Sequence, residues 1–178
     1  PKRNYPQNQY YLAREKGAKN SVELAARSDK SFAMWENDTT AINNHQIICS
    51  SYQYSISYFL RLPDGGTGGT REFSLKHFRQ KRFENNHTVD YLNVYEDWDE
   101  LAHTCHSIVA AESKDVDEIY MNLFDVDLLY NPGDHSDHYE SALLFQHFVE
   151  NPKIKVHFYQ GYESGKRKDV PNPNLDNI

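Results

Sequence analysis

The chain has 178 residues and a formal net charge of −7, with 19 Lys and Arg against 26 Asp and Glu. At this length one domain with its own buried core is the default. The acidic balance excludes a general nucleic-acid binder, which needs a basic face. No apolar run is long enough to span a membrane. The only cysteines are Cys49 and Cys105, so we expect two buried thiols or one bridge, and no disulfide framework.

Helix-like and strand-like patterns alternate along the first half of the chain. Apolar residues at helical spacing predict a helix from Gln9 to Ala26. Two strands are predicted around a short polar turn, at Gln46–Ser50 and Tyr54–Leu62. The glycine-rich segment Asp64–Gly69 follows them, and it lacks the GxxxxGK[ST] pattern of a phosphate-binding loop. A short helix is predicted at Ser74–Gln80.

The second half repeats the alternation more clearly. The strongest helix has an apolar stripe and acidic residues at its start. The predicted elements are a helix at Asp97–Glu112, a strand at Glu118–Asp125, a helix at Tyr139–Glu150 and a strand at Lys155–Tyr159. Strands that alternate with helices at this length favour an α/β layered fold with a mostly parallel sheet.

The sequence Asp134-His135-Ser136-Asp137-His138, named here the DHSDH cluster, is the densest group of chemically active side chains. It follows Asn131-Pro132-Gly133, which ends the preceding element. Neutral imidazole binds zinc and similar ions, and a neighbouring carboxylate can fix its tautomer. The cluster therefore predicts a metal or proton-transfer site. The alternatives are a solvated polar turn that caps a helix, or a self-standing metal site of His135, His138 and Asp134.

Two further segments are candidates for the same site. In open α/β sheets, ligands bind outside the carboxyl ends of the strands, where the Asp64 loop, the DHSDH cluster and the first helix would meet. Arg14 on that helix has a planar fork that holds hydroxyl or phosphate groups, although a surface ion pair also explains it. Asp64 can accept hydrogen bonds from sugar hydroxyls, although Pro-Asp-Gly is also an ordinary turn.

An ordered set of motifs resembles the PIG-L (LmbE-like) deacetylase family, in particular its bacterial branch. The motifs are Tyr10–Ala18 (YYLAREKGA), Phe59–Gly65 (FLRLPDG), the DHSDH cluster, Tyr159–Tyr162 (YQGY) and Pro173–Leu175 (PNL). The resemblance covers most of the chain. It implies a Rossmann-like α/β fold and a zinc-dependent hydrolase that removes the acetyl group from an N-acetylglucosamine-type substrate. We accordingly expect one α/β domain over 1–163, incomplete at its N-terminus, and a surface tail over 164–178.

The resemblance also implies roles for individual residues. His138 matches the family's metal-binding histidine. His135 matches the histidine that stabilises the oxyanion and protonates the leaving amine, and Asp137 matches the carboxylate that orients it. Arg14 and Asp64 match positions that contact the sugar.

One part of the family pattern does not occur in this sequence. The family has a His-Pro-Asp-Asp type turn after its first strand, which supplies a second histidine ligand, an aspartate ligand and the general base. The resemblance therefore implies a larger or two-chain enzyme, in which another chain or a missing segment completes the site for Zn2+ or another divalent metal. A chain with His138 as its only matched ligand should bind zinc weakly. The competing hypothesis is a non-catalytic carbohydrate-binding or structural module that retains the fold.

Overall fold

The computed structural model describes residues 10–26, 33–146, 148 and 151–162. The helices are α1 (Tyr10–Ala26), α2 (Leu75–Arg79), α3 (Trp98–Glu112) and α4 (Ser136–Leu144). The strands are β1 (Glu36–Ile42), β2 (His45–Tyr52), β3 (Ser55–Phe59), β4 (Asn86–His87), β5 (Val94–Tyr95), β6 (Ile119–Phe124) and β7 (Ile154–Tyr159). None of the described helices is long and apolar enough to cross a membrane. The predicted tail, 164–178, lies outside the described residues.

The chain groups into two compact units. The first unit comprises 1–63 and 83–108, and the second comprises 64–82 and 109–178. In the first unit, β1, β2 and β3 form an antiparallel sheet in that order. The turn between β1 and β2 has positive φ at both Asn43 (48°) and Asn44 (64°). Asparagine tolerates this conformation, which joins two antiparallel strands with the correct twist.

The prediction of a Rossmann-like fold with a mostly parallel sheet is wrong. Among the described strands, three form an antiparallel sheet, β4 and β5 form an antiparallel pair, and only β6 and β7 are parallel. The physical reason is the length of the connections. A parallel pair needs a crossover of a dozen or more residues, whereas two residues separate β1 from β2 and β2 from β3. The alternation predicted a parallel pair correctly only where α4 intervenes, between β6 and β7.

Arg61 organises the end of β3 in the first unit. Its φ of 54° ends the extended backbone, so the strand is shorter than the predicted Tyr54–Leu62. The guanidinium donates to both carboxylate oxygens of Glu15 on α1, at 2.6 and 3.0 Å, and to Asp90 at 2.7 Å. It also lies over the ring of Tyr11, 5.0 Å from its centroid. These hydrogen bonds, led by those of Glu15, outweigh burial and raise the pKa of Arg61.

Both cysteines belong to the first unit, and no disulfide joins them. Of the two thiols expected to be buried, Cys105 is buried and Cys49 is only half-buried. Burial raises the pKa of Cys105 to about 12. A thiol with that pKa is not a nucleophile at neutral pH.

In the second unit, α4 begins at Ser136, three residues before the predicted start at Tyr139. The helix starts early because the side chain of His135 caps it and accepts the backbone N–H of Asp137. Helix α2 packs against α4, and Arg79 donates to the buried carboxylate of Glu140 at 2.5 Å. Helix α4 also contacts β6. Packing against α2 and β6 fixes the position of α4, and the DHSDH cluster lies at the start of this helix.

Candidate functional site

The carboxylate of Asp134 is the buried centre of the DHSDH cluster, with a side-chain exposure of 0%. Its Oδ1 accepts the backbone N–H groups of His135 (2.8 Å) and Tyr162 (3.2 Å), and contacts Nδ1 of His138 at 2.9 Å. Its Oδ2 accepts the side-chain amide of Asn131 at 3.0 Å. Burial alone would raise the pKa of Asp134, but these hydrogen bonds outweigh it and lower the pKa. Asp134 is therefore an ionised acceptor.

The imidazole of His138 is fixed in both tautomer and rotation. Because Asp134 can only accept, the proton of neutral His138 lies on Nδ1, and Nε2 carries the lone pair. The ring stacks on Phe124 with centroids 4.0 Å apart and planes 5° apart. A histidine held by a carboxylate through one nitrogen, with a lone pair on the other, has the arrangement of a metal ligand.

His135 has the opposite arrangement. Its Nδ1 accepts the backbone N–H of Asp137 at 3.2 Å, so the neutral ring carries its proton on Nε2. That nitrogen lies 3.8 Å from Oδ1 of Asp64. The ring centroids of His135 and His138 are 5.6 Å apart. The ring of His135 therefore presents an N–H donor close to the lone pair that the ring of His138 presents.

Asp137 contacts the loop that precedes α2. Its Oδ2 accepts the backbone N–H of Gly65 at 2.9 Å, whereas its Oδ1 is buried and has no hydrogen-bond partner among the described residues. Burial, only partly offset by the Gly65 hydrogen bond, raises the pKa of Asp137. Oδ2 is 3.8 Å from Nδ1 of His135, which is too long for a hydrogen bond. The contact that orients His135 therefore comes from the backbone of Asp137.

Asp64 belongs to the same site as the two histidines. Its Oδ1 accepts the backbone N–H of Gly66 at 2.7 Å, and its Oδ2 pairs with Arg71 at 3.0 Å. One ligand atom from each of Asp64, His135 and Asp137 lies within 4.8 Å of the others. This trio is a second candidate set of metal ligands, which does not include His138.

Arg14, the other predicted sugar-contacting residue, belongs to the first unit. Its side chain is exposed on α1. The structure thus brings Asp64, His135, Asp137 and His138 together in the second unit, while the role predicted for Arg14 stays a prediction.

Sequence reasoning gave no individual role to several residues around the two histidines. The ring of Tyr162 lies 5.2 Å from that of His138 and 6.4 Å from that of His135. Phe124 stacks on His138 and also lines an apolar groove of about 640 Å3, together with residues of β6, α4 and Tyr159. In the sequence, Tyr162 belongs to the Tyr159–Tyr162 motif and Phe124 to the apolar end of β6. Neither feature indicates that its aromatic ring contacts a histidine of the DHSDH cluster.

Comparison of the chain with models of protein families, with curated proteins and with solved structures finds no match. The metal, the substrate and the resemblance to the PIG-L family therefore stay predictions.

Proposed function

We propose that this chain carries part of the active site of a metal-dependent hydrolase, which removes the acetyl group from an N-acetylglucosamine-type substrate as part of a larger or two-chain enzyme. The observation that carries the proposal is the pair of imidazoles with opposite hydrogen-bond partners at Nδ1, which is the carboxylate of Asp134 for His138 and the N–H of Asp137 for His135. Hydrolysis of an amide needs a Lewis acid at the carbonyl and a hydrogen-bond donor for the developing oxyanion. The lone pair on Nε2 of His138 can bind the metal ion that acts as the Lewis acid. The Nε2–H group of His135 can donate the hydrogen bond to the oxyanion.

The residues fit a divalent ion at His138. Zinc accepts neutral imidazole, and its histidine ligands usually donate their other N–H to a carboxylate or a carbonyl. The hydrogen bond from His138 to Asp134 has that form. Another chain or segment would supply the further ligands and the general base. When bound, the ion would polarise the acetyl carbonyl and acidify water.

His135 would act twice in the reaction. In its neutral form, the Nε2–H group donates a hydrogen bond to the developing oxyanion. To act as an acid, the ring takes up a proton at Nδ1 in place of the contact with the Asp137 N–H, which balances the proton that the general base removes from water. The cationic ring then passes its Nε2 proton to the amide nitrogen as the C–N bond breaks, and returns to neutral. The carboxylate of Asp137, 3.8 Å from Nδ1, is placed to stabilise that cationic ring.

Asp64 would contact the sugar. It is the most exposed of the site's carboxylates, with 41% of its side chain accessible, and Arg71 already pairs with one of its oxygens. Carboxylates accept hydrogen bonds from hydroxyl groups with high strength. Arg14 remains a second proposed sugar contact, through its planar fork of donors.

The experiment compares zinc binding and deacetylation for two histidine variants and for the complete native enzyme, in which this chain is combined with the chain or segment that supplies the further ligands and the general base. Zinc affinity is measured by competition with a chromophoric chelator, and amine release is measured on an N-acetylglucosamine substrate. His138→Ala should lose zinc binding and amine release together. His103→Ala, at an exposed position on α3, is the matched control and should keep both. Equal zinc affinity in the complete native enzyme and in its His138→Ala variant, or no amine release by the zinc-loaded complete enzyme, would contradict the proposal.

A further inference from the structure

We infer that Asp134 is a positioning residue, which keeps the Nε2 lone pair of His138 available and holds Tyr162 beside it. The consequence for a metal ion rests on the proposed function. The positioning itself is a property of this chain and can be measured without a metal.

Three N–H groups, two from the start of α4 and one from the segment after β7, meet at one oxygen of Asp134. They belong to His135, the next residue, to His138, four residues on, and to Tyr162, 28 residues on. The first two lie at the start of α4, and the third follows β7. Because the side chain is fully buried, water cannot replace these donors. Movement of the carboxylate would therefore disturb the helix start and the segment after β7 together.

Gly161 shows how closely that segment approaches Asp134. A Cβ atom at Gly161 would lie 2.0 Å from Oδ2 and 2.2 Å from Oδ1 of Asp134, so the close approach requires glycine. The N–H of Gly161 donates to Asn131 Oδ1 at 3.0 Å, and the amide of Asn131 donates to Asp134. The YQGY motif and the Asn131–Asp134 segment thus form one hydrogen-bonded unit.

The hydrogen bond to Asp134 selects one tautomer of His138. The imidazole of a solvated histidine favours the proton on Nε2, which would block that nitrogen as a ligand. A carboxylate that accepts at Nδ1 reverses the preference, because it cannot donate to an unprotonated nitrogen. Removal of a carboxylate that supports a metal-binding histidine typically weakens metal binding about 10–100-fold.

The first test is the tautomer of His138 in the metal-free native protein. Long-range 1H–15N correlation spectra distinguish a protonated ring nitrogen from one with a lone pair. The positioning role predicts a protonated Nδ1 and an unprotonated Nε2. A His138 ring with its proton on Nε2 would overturn the inference, and this result needs no variant that might fail to fold.

The second test compares Asp134→Ala with Asp117→Ala, a matched change at an exposed site. An alanine at 134 has no acceptor, so it removes the hydrogen bond to Nδ1 of His138. We expect the His138 tautomer to shift towards Nε2–H and the zinc affinity of the complete enzyme to fall about 10–100-fold, with both unchanged in Asp117→Ala. An unchanged tautomer in folded Asp134→Ala would overturn the inference.

The two tests separate this inference from the proposed function. If the tautomer depends on Asp134 but the complete enzyme binds no zinc, the positioning role stands and the hydrolase proposal fails. If zinc binds at His138 while Asp134→Ala changes neither tautomer nor affinity, the hydrolase proposal stands and the positioning role fails.

Discussion

Nδ1 of His138 lies 2.9 Å from Oδ1 of Asp134, a carboxylate with no solvent-accessible surface. The imidazole is thereby fixed with its lone pair on Nε2. Three residues earlier in the chain, His135 accepts a backbone N–H through Nδ1 and so has its proton on Nε2. The different chemistry of these two neighbouring histidines comes from their hydrogen bonds, and it leads to separate predictions.

Alanine substitutions of the two histidines should have different effects on zinc content and turnover in the complete enzyme. His138→Ala removes a metal ligand, so we expect zinc content and turnover to fall together. His135→Ala removes one oxyanion donor, so we expect zinc to stay bound while kcat falls about 100-fold or more. Zinc content by elemental analysis and turnover by amine release check both variants. Loss of zinc from His135→Ala with retention in His138→Ala would show that the two roles are reversed.

Gly65 should be intolerant of a side chain. A Cβ there would lie 2.5 Å from Oδ1 of Asp137 and 2.7 Å from Cβ of Ser74, so Gly65→Ala must displace Asp137 or the loop. We expect turnover to fall together with the thermal midpoint.

Gly68→Ala is the matched control in the same loop, because its Cβ would meet only Thr70, at 3.5 Å. We expect turnover and the thermal midpoint of this variant to match those of the native protein. Equal turnover and midpoint in Gly65→Ala and Gly68→Ala would show that the approach of Asp137 to the loop does not matter.

Arg61 should contribute strongly to stability. Its removal leaves the carboxylates of Glu15 and Asp90, which are only 15% and 10% exposed, without their cation. We expect Arg61→Ala to lower the free energy of unfolding by about 3 kcal/mol, measured by urea denaturation. Arg14→Ala, on the exposed side of α1, should change it little. A similar small change in both variants would rule out a structural role for the Arg61 network.

The stability of the chain should depend on Asp90 in the acid range. Burial alone would raise the pKa of Asp90, but the hydrogen bonds from Arg61, Thr88 and Leu92 outweigh it and lower the pKa. A carboxyl whose pKa is lower in the folded state stabilises it above the unfolded pKa, and this contribution is lost as pH falls through the folded pKa. Asp90→Asn should therefore be less stable at neutral pH and lose less stability on acidification. Urea midpoints below about pH 5 would test this, and parallel curves for both proteins would contradict it.

Seven of the eight predicted elements start within one residue of the observed start: α1, α2, α3, β2, β3, β6 and β7. The eighth, α4, starts three residues early because His135 caps it. Strand β1 was missed because its sequence, ENDTTAI, is polar and mostly exposed, which leaves no alternation to detect. The predicted sheet direction is wrong because two-residue connections join β1 to β2 and β2 to β3, and connections this short allow only antiparallel pairing.

In the candidate site, the contacts between sequence neighbours could be predicted, and the contacts between distant segments could not. The residues of the DHSDH cluster are neighbours in sequence, so their proximity was predictable. The contacts of Asp137 with Gly65, 72 residues away, and of Asp134 with Tyr162, 28 residues away, depend on the fold. No local pattern gives the partner of a backbone N–H over such a separation. The tautomers of His135 and His138 follow from contacts within the cluster, of His135 Nδ1 with the N–H of Asp137 and of His138 Nδ1 with Asp134. These depend on where α4 starts and could not be predicted from the residue types alone.

The position of bound zinc tests the central claim most directly. Anomalous diffraction at the zinc edge, from crystals of the native protein grown with zinc, locates the ion without any assumption about activity. We expect a peak at about 2.0–2.1 Å from Nε2 of His138, with Nδ1 still hydrogen-bonded to Asp134. A peak held by Asp64, His135 and Asp137, with His138 uncoordinated, would contradict this assignment of the metal site.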